Sequence, residues 1–316
     1  MSTLAAAVGV RLSTRAAGVA LAFVTACVSG VAVYVNAKGV ARFDDPTVYT
    51  TAKNAVAGAL LLLLAVPLLA RPRRSAGRTP WPKTGRERVG LVAVACIGGS
   101  VPFVLFFEGL SRASATQAAF IHKTLVVWVA VLAVVLLRER LGPLHLVAIG
   151  LLMAGQVLLV PRVGVVTFGT GEVMILTATL LWAIEVILVK RLVVGIEPRT
   201  LAAGRMALGT GVLLVWVAVT GRGSALLGLD AGQWGWALLT GTLLAAYVAT
   251  WYAALARAQA VDVTAVLVFG AVVTAVLSGA ADGVALDGLG LVVISLGAGV
   301  AATAALRGRR SPLAGT

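Results

Sequence analysis

Pro46-Thr-Val-Tyr-Thr-Thr-Ala-Lys53 returns 152 positions later as Pro198-Arg-Thr-Leu-Ala-Ala-Gly-Arg205, each copy opening on a proline and closing on a cation inside an otherwise apolar run. A second echo, at an offset of 145, matches Leu110-Ser-Arg112-Ala113 with Leu255-Ala-Arg257-Ala258, and Gly90 with Gly235. The offset shrinks by seven because the linker 70–87 has 18 residues and its counterpart 221–231 has 11. The chain is therefore built twice from one plan, and the plan sets what lies on either side of these segments.

On either side lie apolar stretches. Of 316 residues, 60% are hydrophobic and 12% charged, against roughly 25% charged in an average soluble domain. Ten segments, at about 16–37, 47–69, 88–109, 114–137, 143–160, 168–190, 198–220, 233–255, 263–281 and 288–306, approach or exceed the ~20 residues that cross a ~30 Å hydrocarbon core. They lack the period-two alternation of a barrel strand, so helices satisfy their backbones. The fold expected is an all-α membrane protein of ten transmembrane helices in two five-helix repeats, at 16–160 and 168–306. Five is odd, so the second repeat enters the bilayer inverted, the plan of many secondary transporters.

Charge placement sets orientation and removes other roles. With both termini cytoplasmic, 18 of the 26 basic residues fall in inside loops and tails, five (Lys38, Arg42, Arg112, Arg162, Arg222) fall outside, and three lie within spans, as the positive-inside rule requires. Topology accounts for the net charge of +14, and no nucleic-acid role is expected. The basic linker 70–87 is expected beside anionic headgroups. Arg11 and Arg15 precede the first apolar run as in a signal peptide, but the run is long and lacks a small-residue cleavage site, so it is read as an uncleaved span. Cys27 and Cys96 have no metal-ligand spacing and are read as small buried thiols.

The third to fifth segments carry a resemblance. Phe106-Phe-Glu108-Gly-Leu-Ser-Arg112-Ala-Ser-Ala, then Leu137-Arg138-Glu139-Arg140-Leu141-Gly142, then Gly150 to Gly155 resemble the EamA-type branch of the drug/metabolite transporter superfamily, over roughly 16–306. Trp182 with Lys190, eight residues apart, and Arg205 fit the same pattern. The first repeat departs from it with Ser29-Gly30, and the second with Asp282-Gly-Val-Ala. The resemblance implies solute transport across the cytoplasmic (inner) membrane.

Ionisable groups at mid-bilayer cost about 2.5–3.5 kcal/mol on insertion scales and mark solute paths by default. The substrate-binding candidates are Asn36, Lys53, Asn54, Glu108, His122, Lys123, Glu185 and Arg205. Lys123 leads, being about ten residues from either end of its helix and unable to snorkel. Glu108, across a short turn, is expected to approach His122 or Lys123, with Lys53 as the competing partner. Three basic against two acidic in-span charges favour a substrate with a carboxylate or phosphate, and Arg205 and Glu185 have the option of pairing privately. Gly98-Gly99-Ser100-Val101-Pro102 interrupts the third span and is the candidate cavity wall or hinge through Gly98, Gly99 and Pro102. Phe103, Phe106, Phe107, Trp128, Trp182, Trp251 and Tyr252 are available as apolar walls or packing aromatics, and Glu139 is read as organising its loop.

The function expected is secondary transport by alternating access, in the direction of export, of small metabolites such as amino acids or organic anions. Partners are a small-molecule solute, lipids, and protons as candidate coupling ion, in a monomer or homodimer. No catalytic residue, metal or cofactor is expected. Efflux of amphipathic drugs is the rival within transport, and a lipid-modifying membrane enzyme the rival outside it, although two histidines and scattered carboxylates form no catalytic cluster.

Overall fold

The computed structural model describes residues 14–70, 78–79, 81–113, 115–159 and 169–307. Arg11, the linker arginines Arg71, Arg73 and Arg74, Arg162, Arg309 and Arg310 lie outside the described residues. The helices in the first half are α1 (Thr14–Val40), α2 (Pro46–Ala70), α3 (Gly85–Gly99), α4 (Val101–Leu110), α5 (Ala115–Lys123), α6 (Leu125–Leu137) and α7 (Pro143–Leu159). In the second half they are α8 (Thr170–Leu192), α9 (Pro198–Val219), α10 (Gly223–Leu227), α11 (Ala231–Leu255), α12 (Ala260–Leu267), α13 (Gly270–Asp282) and α14 (Gly288–Arg307). No strand occurs among the described residues; a lone bridge joins Thr79 to Ile196.

Nine helical stretches among the described residues are long and apolar enough to cross a membrane, with α3–α4, α5–α6 and α12–α13 each acting as one. The expected span 143–160 is the shorter α7, of 17 residues, about 25 Å at ~1.5 Å per residue. The exterior is apolar: Leu62, Leu63 and Leu64 on α2 and Val131, Val134 and Val135 on α6 are exposed, Leu63 to 68%. The interior holds small residues, among them Ala22, Ala26, Ala57, Ala130, Ala133, Ala148 and Ala183, because helices that cannot gain from expelling water associate through close backbone approach. Cys27 is exposed on α1, which corrects its reading as a buried thiol: Ala26 beside it takes the inward position, and the next residue points ~100° away.

The packing repeats itself. α1 lies on α11 as α8 lies on α3 and α4; α2 lies on α11 as α9 lies on α3; α1 meets α12 and α13 as α8 meets α5 and α6. The pairs α2–α9 and α7–α14 join equivalent helices of the two halves, and α6–α12 joins equivalent spans. Exchanging the halves therefore maps the main packing pairs onto one another.

Three stretches are broken. The α3–α4 break at Ser100 (φ −140°, ψ −72°) falls within the Gly98–Pro102 segment. The breaks at Thr124 and at Val268–Phe269 fall in stretches read from sequence as continuous. There the backbone tightens to three-residue hydrogen bonds, Thr124 N–H to Ile121 O and Phe269 N–H to Val266 O, the geometry that marks a mid-helix hinge or strain. Thr124 and Phe269 are 145 positions apart, the same offset as the sequence echo.

Candidate functional site

The centre of the molecule follows from one missing hydrogen. In a continuous helix the Gly98 carbonyl would accept from the amide of residue 102, but that residue is proline and has none. Gly98 O instead accepts from Arg205 Nη2 at 2.8 Å and from Trp182 Nε1 at 3.1 Å. Arg205 also pairs through Nε with Glu185 Oε1 at 2.6 Å, and the Tyr252 hydroxyl donates to the same oxygen at 2.7 Å. Glu185 fits because Gly98 has no side chain: a Cβ there would stand 2.2 Å from Glu185 Cδ. On its other side, a Cβ at Gly99 would meet the Arg205 carbonyl at 2.6 Å.

Arg205 and Glu185 form one wall of a cavity of about 170 Å³ lined from both halves. The same cavity is lined by Lys53, Asn36, Val33 and His122 and by the aromatic residues Phe103, Trp182, Tyr247 and Trp251. Lys53 is 4% exposed. Its Nζ donates to Asn36 Oδ1 at 2.9 Å, an oxygen that also accepts from the Tyr49 hydroxyl at 2.5 Å. The rings of Phe107 and Tyr49 lie 4.5 and 4.9 Å from the ammonium, close enough for cation–π attraction. No carboxylate pairs with Lys53 among the described residues.

The remaining sequence candidates separate. Lys123 borders a smaller adjoining space of about 60 Å³ with His122, Ser29, Val33, Tyr247 and Thr264, and has no ion pair among the described residues. His122 borders both spaces, its ring edge-on to Trp182 and Phe106 at 5.0 and 5.3 Å. Asn54 is fully buried on α2, its amide donating to Thr50 O at 2.6 Å, and does not line the cavity. Glu108 does not meet Lys123: it pairs with Arg222 at 2.9 Å and Arg112 at 3.1 Å and accepts from the Thr47 hydroxyl at 3.1 Å. Of the aromatics, Phe103, Trp182 and Trp251 line the cavity while Trp128 is exposed on the exterior.

Two polar clusters join the halves at opposite ends of α1. At one end Arg222 bridges Glu108 and Asp45, the latter at 3.1 Å. At the other, Asp262 is fully buried between Arg15 and His145, each at 3.0 Å. The Gly142 amide donates to His145 Nδ1 at 3.1 Å, so Nε2 carries the ring proton toward Asp262. Beside them the Glu139 carboxylate accepts from the amides of Ala260 at 2.9 Å and Val261 at 3.3 Å, capping α12, and Lys190 donates to the carbonyls of Leu255 at 2.7 Å and Ala258. Burial raises the Glu139 carboxyl's pKa above its ordinary value, and the Ala260 amide and Lys190 pull against that rise. Sequence reading missed Asp262, His145, Asp45 and the bridging role of Arg222. Asp262 stood just before the expected span at 263, and the signal was a carboxylate followed at once by an apolar run. Among the described residues no three His, Cys, Asp or Glu side chains gather as metal ligands would.

A model described as the EamA-like transporter family matches residues 16–160 and again 169–304. The chain belongs to the EamA-like transporter family. As a member it is a multi-pass membrane protein that carries a small-molecule solute in a lipid environment. A solved crystal structure is similar over 90% of this chain and 97% of its own, with a TM-score of 0.74 and 16% identity, a likeness of fold alone. No curated protein matches the sequence.

Proposed function

We propose that this EamA-like chain is a ten-span secondary transporter of two inverted five-helix units, 16–160 and 168–306, working by alternating access from the central cavity. The observation that carries the reading is that cavity: it lies between the halves, it holds Lys53 from one and Arg205 and Glu185 from the other, and a polar bridge joins the halves beyond it on either side. Lys53 supports a solute path most, since charges in a bilayer are retained where they pair within the protein or where a cavity receives them, and no carboxylate pairs with Lys53 among the described residues. The exchange-symmetric packing supports inversion, with α7 completing the first unit as α14 completes the second.

With most loop cations on one side, both termini face the cytoplasm of the inner membrane. The Arg15–His145–Asp262 bridge is then the cytoplasmic gate and the Asp45–Arg222–Glu108 bridge the outer one. Asn36, Lys53, His122, Glu185 and Arg205 contact solute, Lys123 borders its path, and the Gly98–Pro102 break is a hinge. The direction is export of small metabolites such as amino acids or organic anions.

The test is flux. Sealed proteoliposomes are loaded with a panel of labelled amino acids, organic anions, purine precursors and amphipathic toxins, and cells overproducing the chain are challenged with toxic excess of each. Protein-dependent flux of at least one solute, with growth protection by the same solute, is expected; no flux across the panel overturns the reading.

A further inference from the structure

The repeat sets two equivalent cations on one cavity. Lys53 and Arg205 are equivalent at the offset of 152, and both line the cavity. The same offset takes Glu185, the counter-ion of Arg205, back to Val33, which also lines the cavity. The offset of 145 takes Tyr252, whose hydroxyl holds Glu185, back to Phe107, whose ring lies 4.5 Å from Lys53 Nζ. The second repeat thus carries a complete cluster of cation, carboxylate and phenol. In the first repeat the cation is kept, and the carboxylate and hydroxyl are replaced by an isopropyl group and an unsubstituted ring.

Each half of this contrast has a physical consequence. Arg205 is neutralised within the protein and cannot add net attraction for a charged solute. Among the described residues, the polar contact of Lys53 Nζ is the Asn36 oxygen, with aromatic faces beside it, which stabilise an ammonium partially, and the unmatched charge lines the cavity that Val33 also lines. An oxyanion there would regain the charge-assisted hydrogen bond that Glu185 makes with Arg205. Among the described residues, the one acidic side chain lining the cavity, Glu185, is already held by Arg205 and Tyr252, so a substrate ammonium finds no free partner there. An apolar space of about 150 Å³ takes up a benzene molecule, so about 170 Å³ walled by Phe103, Trp182, Tyr247 and Trp251 suits one ring or a branched chain of that size.

We infer that the substrate's own carboxylate is the counter-ion missing from the first repeat: it occupies the position beside Val33 equivalent to that of Glu185 and binds Lys53, so the cavity selects monocarboxylates with a compact apolar body. The inference rests on the reading of this cavity as the solute site and names the chemistry of that solute.

The experiment uses the purified full-length protein in lipid nanodiscs and reads thermal stabilisation by benzoate, by its neutral and cationic isosteres benzamide and benzylamine, and by phenylalanine as the zwitterion. Benzoate is expected to raise the melting temperature saturably, benzamide and benzylamine not, and phenylalanine only at higher concentration. Lys53→Met, and independently Val33→Glu, which installs the counter-ion in the protein, are each expected to weaken apparent benzoate affinity about tenfold or more, the scale of one hydrogen bond to a charged group. Lys53→Arg is expected to keep it. If Lys53→Met does not fold, Val33→Glu carries the test. Stabilisation by benzamide equal to that by benzoate, tighter binding of phenylalanine, no response to benzoate, or benzoate binding unchanged in both variants overturns the inference. The flux panel is scored separately: flux of neutral or cationic solutes without a benzoate response overturns this inference and leaves transport standing, whereas Lys53-dependent benzoate binding without flux of any solute overturns transport and leaves the subsite.

Discussion

Glu185 and Arg205 hold each other with both side chains about 5% exposed, so neither can lose its partner without leaving a charge or polar group stranded. Glu185→Gln removes the charge that balances Arg205, and breaking one side of a buried pair costs about 3–5 kcal/mol. A clear drop in the melting temperature of the purified protein is expected, and Glu185→Gln with Arg205→Met should cost less than the two single losses added, because contacting partners are not independent. Lys123 is the opposite case. Among the described residues it has no ion pair to lose, so Lys123→Met should leave the melting temperature unchanged or raised while solute flux falls; a destabilised Lys123→Met, or one with full flux, would show the side chain to be structural. Both residues stood out in the sequence because ionisable groups within apolar runs are rare. The sequence offered the Glu185–Arg205 pair as an option; what it misplaced was the partner of Glu108. Glu108 is 15 residues from Lys123 in the chain yet is held by Arg222, 114 residues away, and no local spacing encodes a contact made by the other half.

At the scale of elements, the chain announces some breaks and hides others. Proline at 102 both removes an amide and frees the Gly98 carbonyl, so the α3–α4 break and its location were legible. The breaks at Thr124 and Val268–Phe269 were not, since neither stretch contains proline. At the first, the Thr124 hydroxyl donates to Ile121 O at 2.6 Å, a back-bond of the kind that bends helices, but it is common enough in apolar helices to give no warning. Pro102→Ala tests the link from backbone to site. It supplies the amide that Gly98 O lacks, so that carbonyl is drawn back into the helix and away from Arg205 and Trp182; flux is expected to fall severalfold with the protein still folded. Glu139 acts on an element it does not belong to, capping α12 from the loop after α6. Glu139→Ala leaves the amides of Ala260 and Val261 without acceptors and should cost about 1 kcal/mol, the usual scale of a lost cap, read as a lower melting temperature.

Across the whole molecule, internal duplication made the architecture legible and the two bridges illegible for the same reason. Repeats show in sequence where both copies keep the same residues, as at Lys53 and Arg205. Each bridge turns on a charge present in one copy only: the position 152 before Arg222 is Ala70, and the position 145 before Asp262 is Gln117, while Asp45 keeps an acidic equivalent in Glu197. In the proposed cycle each bridge ties one end of the molecule shut, and alternating access would require that they open in turn. Removing one bridge removes a favourable contact of the state in which that end is closed, and an equilibrium moves only by such a difference between states. A charge-assisted contact of about 1.5–3 kcal/mol is enough to shift populations roughly tenfold to a hundredfold. With Cys27 and Cys96 replaced by serine and Val33→Cys as a reporter on the cavity wall, Arg222→Ala should speed labelling by a membrane-impermeant maleimide from the periplasmic side of right-side-out vesicles. Asp262→Asn should instead slow that labelling and speed it in inverted vesicles. Opposite responses are the signature of two gates on one cavity; equal responses on both sides would mean that the bridges hold the bundle together without governing access to Val33.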